Sequence, residues 1–455
     1  MEKLQNRLIE LWHEPIALVL VLVAVFLALV YFFSGVNIAS IPIVNLAIYL
    51  LVLLAIFLLW YLARRPPRAR LNRIGIVIAI SAETDEQRLR IQKDFIAAMK
   101  SSLEGTSEII KFDFVELPRW HAEKVGNSAD RASEYVAKCR AHLLIFGTAK
   151  VRTINKKEIH VLNLRQIIVH RPVPTDTSKE LSQEMAAIFS PRINIDREND
   201  LVGLELASTW LAEAAKYFVG VAAYMSGDLD LSKMIFEELR ASKHLASLRG
   251  IPGVAKLRQL VPQRLADVYL ASARRSYLRW RKTRFIADLD DSNANIENYN
   301  RIHPNTYQYR LSKAIWLFVA RHDVPGAIHL VEKAKGESDA AWRYSLAFLY
   351  AYQGRHDEAV WQYNKAFTRP CEQSLPFEVE EFIEWVLEQE PDKFQLHFCI
   401  GLINWSAKGD RERATKDFEL FAAHRDAAKY PNMLKEAERY ITEFRIAEAS
   451  ARIAQ

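Results

Sequence analysis

The hydrophobic pattern changes period along the chain, and each change marks a different kind of element. Pro15 to Phe33 reads PIALVLVLVAVFLALVYFF, nineteen residues without a charge. A second apolar run extends from Ile41 to Ala63, with Asn45 its clearly polar member. At about 1.5 Å per residue each run is long enough to cross a hydrocarbon core roughly 30 Å thick. Trp12, Tyr31, Trp60 and Tyr61 stand towards the ends of the runs, where amphipathic rings favour an interface. The pattern therefore predicts a two-helix transmembrane hairpin over residues 1–63. The connection SGVNIAS carries no charge, whereas Lys3 and Arg7 precede the first run and five arginines follow the second. That asymmetry predicts an inner (plasma) membrane protein with two passes and both termini cytoplasmic.

Pro66 and Pro67 then interrupt any helical pattern, and residues 64–73 read as a basic juxtamembrane linker. Beyond it the period shortens. Ile74 to Ile80, IGIVIAI, is a continuous apolar run of the kind a buried strand shows. Thr84 to Leu103 has helical spacing, with Ile91, Phe95, Ile96, Met99 and Leu103 on one face. Ile110, Phe112 and Phe114 alternate with Lys111 and Asp113 in a second strand, and a helix is predicted from Ala129 to Ala141. A strand starting at His142 and the segment KEIHVLNLRQIIVH, joined by INK, predict a β-hairpin, and Lys179 to Phe189 a further helix. Residues 74–195 thus form a small α/β domain with a mixed sheet. The stretch AKCRAHLLIFGTAKVR, with a charged turn and an alternating strand after it, resembles the amino-terminal α/β domain of TolB-like proteins over about residues 74–172. Arg140, Ala141 and His142 stand where that pattern tends to have a small acidic turn.

Residues 196–455 are helical throughout and contain self-similar segments. In WRYSLAFLYAYQGRHDEAVWQYNKAF, Trp342 to Phe367, the positions Ala347, Tyr350, Gly354, Ala359, Tyr363 and Ala366 fall at the spacing of a tetratricopeptide repeat (TPR). Gly409, Ala414 and Phe418 repeat the register, as do Gly220, Gly227, Ser232 and Phe236. Tyr309 to Ala334 matches less well, because His322 stands where glycine is common. The pattern predicts a TPR-like α-solenoid whose stacked pairs bury a continuous core. The resemblance implies a concave surface that takes a protein or peptide partner. Met433 to Ala449 reads as a capping helix.

Charge alters the picture locally. The formal net charge of +6 comes from two clusters: Arg64, Arg65, Arg68, Arg70 and Arg73, and then Arg274, Arg275, Arg279, Arg281, Lys282 and Arg284. With Trp280, these residues are candidates for an anionic partner or lipid headgroups; for the second cluster, pairing with the nearby DLDD stretch is the rival reading. Outside the clusters the chain is net acidic, which argues against a nucleic-acid partner. Cys139, Cys371 and Cys399 lie far apart and in no metal or disulfide spacing. The turn SAETDEQ after the first strand is not a phosphate loop, and no histidine spacing matches a metal motif. His121 and Glu123 beside Trp120 are read as an exposed loop, and Trp316, Trp342, Trp361 and Trp405 as core. No catalytic residue, cofactor or metal is expected, and the protein is read as no enzyme. The favoured function is a membrane-anchored scaffold or sensor binding a protein partner through its repeats, with homo-oligomers allowed. The alternative is a membrane-perturbing effector of a bacterial defence or stress system, triggered through the cytoplasmic domains.

Overall fold

The computed structural model describes residues 15–34, 43–104, 111–154, 157–169, 175–188, 192–196, 200–248, 252–336 and 339–453. They divide into two compact units, Met1–Val268 and Tyr269–Gln455.

The first unit opens with two helices, α1 (Pro15–Ser34) and α2 (Ile43–Ala63), of 20 and 21 residues without a charge. Leu18, Val30, Tyr49 and Trp60 are buried, while Leu20, Leu51 and Leu59 are exposed. Among the described residues no helix is long and apolar enough to cross a membrane. The transmembrane hairpin and the two-pass inner-membrane location are corrected accordingly: the described residues establish two apolar helices and no span. The connection through Asn37 and Ser40, and the flanking Lys3 and Arg7, lie outside the described residues.

The sheet has five strands in the order β2-β1-β3-β4-β5: β1 (Ile74–Ala82), β2 (Phe112–Glu116), β3 (Leu143–Ile154), β4 (Lys157–Ile168) and β5 (Arg192–Asp196). β1 pairs in parallel with β2 and β3, and β4 runs antiparallel to β3 and β5. Central position explains the continuous apolar run: Ile76, Val77, Ile78 and Ala79 are covered on both faces. The first crossover is α3 (Asp85–Arg90), capped by Thr84, whose side chain accepts from Gln87 N. It passes through a π-helical turn (Ile91–Ile96) into α4 (Ala97–Glu104). Two short helices, α5 (Arg119–Val125) and α6 (Ala129–Cys139), make the second, and Ala122, Val125, Ala132 and Cys139 pack on Val77, Ala79, Leu144 and Phe146. Helix α7 (Thr175–Ile188) leads to β5, a short strand that periodicity does not separate from the helix after it.

Helix α8 (Asp200–Ser226) is buried on every side from Trp210 to Ala223, the signature of a central helix. It pairs with α9 (Leu229–Ala241), and the buried Lys216 lies 3.2 Å from Glu238 and 3.7 Å from Glu213. The short α10 (Lys243–Ser247) comes next, its last carbonyls held by the Arg258 guanidinium of α11 (Pro252–Thr283).

The second unit is a stack of antiparallel helix pairs. After α12 (Ile286–Ile302) come α13 (Tyr307–Arg321) with α14 (Val324–Glu332), and α15 (Ala341–Tyr352) with α16 (His356–Phe367). α17 (Leu375–Gln389) stands alone. Then α18 (Leu396–Ile403), prolonged by a π-helical turn (Asn404–Lys408), pairs with α19 (Arg411–Ala422), and α20 (Pro431–Ile453) ends the stack. Each pair is closed at its turn by one residue in the left-handed region: His322 at φ 52°, Gly354 at 85° and Gly409 at 74°. The next N–H returns to the first helix, as when Arg355 N donates to Tyr350 O at 2.8 Å. Fold class is therefore mainly α with a small mixed sheet, and the repeat register read from the sequence coincides with these turns.

Gly354 has no neighbour within 3.4 Å of an added Cβ, so substitution there tests backbone strain alone. Gly354→Ala is expected to lower stability by about 1 kcal/mol, and His322→Gly to leave it unchanged or raise it by up to about 1 kcal/mol. Urea unfolding of the two variants should shift the midpoint in opposite directions or leave the second unmoved; a loss in both contradicts the assignment.

Candidate functional site

Between α11, α13, α15 and α17 the second unit holds a cavity of about 210 Å³. Its floor is three phenylalanines in edge-to-face contact, Phe318 against Phe348 and Phe348 against Phe382, each at 5.1 Å between ring centres and 83° between planes. Leu311, Ile315, Leu349 and Val379 complete the apolar wall. Three lining residues, Ala341, Leu375 and Glu378, also line a wider outer recess of about 630 Å³ with Arg274, Asp339, Pro370, Cys371, Glu372 and Ser374. An apolar chamber thus opens beside a polar vestibule.

The rim is fixed by helix geometry. Asp339 accepts from Ala341 N at 2.9 Å, holding the start of α15, and from the Tyr307 hydroxyl at 3.0 Å. Glu378 is held by Arg281 at 3.1 Å. Tyr277 also lines the chamber, and burial pushes its phenol up to about 12. Ser345 spends its hydroxyl on the Ala341 carbonyl at 3.0 Å. These groups suit the burial of an apolar side chain with its polar attachment left in the vestibule.

Three cations of the basic segment, Arg279, Arg281 and Arg284, are paired within the fold. Arg281 pairs with Glu378 and Glu381, Arg284 with Glu381, and Arg279 with Asp288 and Asp291. Trp280 is 1% exposed, stacked on Tyr277 at 5.6 Å and edge-on to Trp385 at 5.5 Å, so it is core. Arg284 covers both indoles at about 5 Å. The acids that satisfy these cations come from α17 as well as from the DLDD stretch, roughly a hundred residues apart in sequence for the α17 pairs. Arg274, Arg275 and Lys282 line an open groove along α11 with Leu278. In the first unit Arg64 and Arg65 stack over Trp60 and Tyr61 at 4.4 and 4.9 Å, and Arg70 N donates to Asp113 at 2.7 Å. Arg68 acts on the Cys139 thiol, and Arg73 closes a turn onto Arg70.

His121 is not in an exposed loop. It sits in α5, 6% exposed, with Nδ1 2.7 Å from the Tyr135 hydroxyl and Nε2 3.0 Å from Arg64 O. The histidine fastens the linker to the α/β domain. A second, smaller cavity of about 90 Å³ lies between α7 and α8. Tyr217 donates to Glu184 at 2.9 Å there, and Glu184 also pairs with Arg264. Among the described residues no group of three or more metal-ligating side chains converges.

Accessibility separates the three thiols. Burial raises Cys139 to about 11 and Cys399 to about 12, while Cys371 is exposed at the vestibule, its thiol raised by its surroundings and by Asp339. One thiol, Cys371, is expected to react with a maleimide in the native protein, faster as pH rises, and three after denaturation. Mass spectrometry of the labelled peptides decides it; native labelling of Cys399 contradicts the packing.

Comparison with known proteins gives little to set beside this geometry. No protein-family model matches the chain, and no curated protein does, so the TolB-like resemblance is without support. Among solved structures, the crystal structure of the P58(IPK) TPR domain aligns at 13% identity over 54% of this chain and 84% of that chain, with a TM-score of 0.19. A score that low carries no argument, and the helical-repeat assignment rests on the closed helix pairs themselves.

Proposed function

We propose that the protein is a binding scaffold, and that its helical unit recognises a partner by taking an apolar side chain of an extended peptide into the Phe318–Phe348–Phe382 chamber. The observation that carries this reading is the shared wall of chamber and vestibule at Ala341, Leu375 and Glu378. An apolar volume bordered by a polar recess accepts a side chain whose backbone stays hydrated. The vestibule has Asp339 and Glu372 against Arg274, with Glu378 already engaged by Arg281, which favours a peptide without acids next to its anchor. The α/β unit is a scaffold partner or a sensor for the same task, and the protein acts by binding rather than by catalysis.

Peptide display on the full chain tests this. Enriched peptides should share one bulky apolar residue, and their affinity should fall at least about tenfold on Val379→Glu or after Cys371 carries a bulky maleimide. Peptides without a common apolar anchor, or equal binding by the labelled protein, would remove the reading.

A further inference from the structure

Buried charges in the helical unit otherwise come in opposite pairs. Glu380, 7% exposed, meets Lys408, and Asp417, 1% exposed, meets Arg413 at 3.1 Å and His397 at 3.0 Å. Arg343 on α15 breaks the pattern. It is 9% exposed; Nη1 donates to Gln362 at 2.7 Å, and Nε has no hydrogen-bond partner. Among the described residues no carboxylate is paired with it. Its cover is aromatic: the guanidinium carbon lies 4.2 Å from the Trp342 ring centre and 5.5 Å from that of Trp361. Arg369 stands over Trp342 too, at 5.8 Å.

The energetics of this cluster are lopsided. A cation withdrawn from water without a counter-charge is costly. Cation–π contact recovers part of that cost. Burial first, and the field of Arg369 second, lower the affinity of Arg343 for its proton, so the neighbouring cation adds to the penalty instead of relieving it. Trp361, expected in the core, is 54% exposed and offers a flat apolar face beside the Arg343 guanidinium. The packing of α15 on α16 is carried by Ala347, Tyr350, Ala359 and Tyr363, and the polar link from Arg343 to α16 is to the neutral Gln362, which does not require a charge.

We propose that Arg343, Arg369 and the exposed face of Trp361 receive an oxyanion, a carboxylate or a phosphate, carried by a partner peptide. Guanidiniums suit either group through paired N–H donors, and an adjoining indole packs the stem that carries it. The site shares no residue with the phenylalanine chamber, so either one can fail without the other.

The experiment is fluorescence anisotropy of the full chain with labelled hexaglutamate, a phosphoserine-containing hexapeptide and a neutral hexaglutamine, with inorganic phosphate as competitor. An acidic probe should bind saturably, more weakly as salt rises, and the neutral probe should not. Arg369→Gln and Trp361→Ala should each weaken binding at least about tenfold, whereas Arg425→Gln, at a remote exposed arginine, should leave it unchanged. Arg343→Met should abolish binding; it removes the uncompensated charge and keeps the stem, but leaves the buried Gln362 carbonyl without its donor. If that variant does not fold, the other two decide. Equal binding by wild type and Arg369→Gln, equal losses in Arg425→Gln, or binding of inorganic phosphate alone would overturn the proposal.

Discussion

The helical unit depends on how each pair of helices is closed. A first helix ends in one residue with positive φ, and the following N–H folds back on a carbonyl one turn earlier. In two of the three pairs an aspartate comes next and caps the second helix: Asp323 accepts from Gly326 N at 2.9 Å, and Asp410 from Arg413 N at 3.0 Å. The same device closes α8 onto α9 in the first unit, with Gly227 at φ 82° and Asp228 accepting from Leu231 N at 3.1 Å. One short turn therefore satisfies orphan carbonyls of one helix and an orphan N–H of the next while reversing the chain. Packing is the result, because reversal places small residues such as Ala347 and Ala359, both fully covered, where the helices cross.

Much of this was legible in the sequence because it is local. Glycine at 227, 354 and 409 marks the turns directly, and IGIVIAI marks a strand with neighbours on both sides. His322 shows where local reading thins. It matches the repeat poorly, yet it adopts the same left-handed conformation, and the aspartate after it was the available clue. The short helix α5 was missed because seven residues give too little periodicity, and β5 because its five residues merge with the helical run after it.

The chamber was not legible, nor was the fate of the basic segment. Phe318, Phe348 and Phe382 come from three helices, and each alone reads as an ordinary core position. Arg281 and Arg284 looked available because their partner Glu381 stands on α17, beyond two intervening helix pairs in the chain. Trp361 and Arg343 reversed expectation in the other direction: an indole assigned to the interior faces solvent, and a charge assigned nowhere is covered. Long-range juxtaposition decided all of these. In the apolar runs near the start, composition spoke more strongly than the described helices do.

Helix α17 stands between two closed helix pairs without a closed pair of its own, and it supplies Leu375, Glu378, Val379 and Phe382 to the chamber. A solenoid of identical pairs would bring the same small residues to every junction and close each one. The unpaired helix is a defect in that quasi-lattice, and the volume beside it is the vacancy such a defect creates. Repetition gives this unit its rigidity; what is individual about it is written where the repetition lapses.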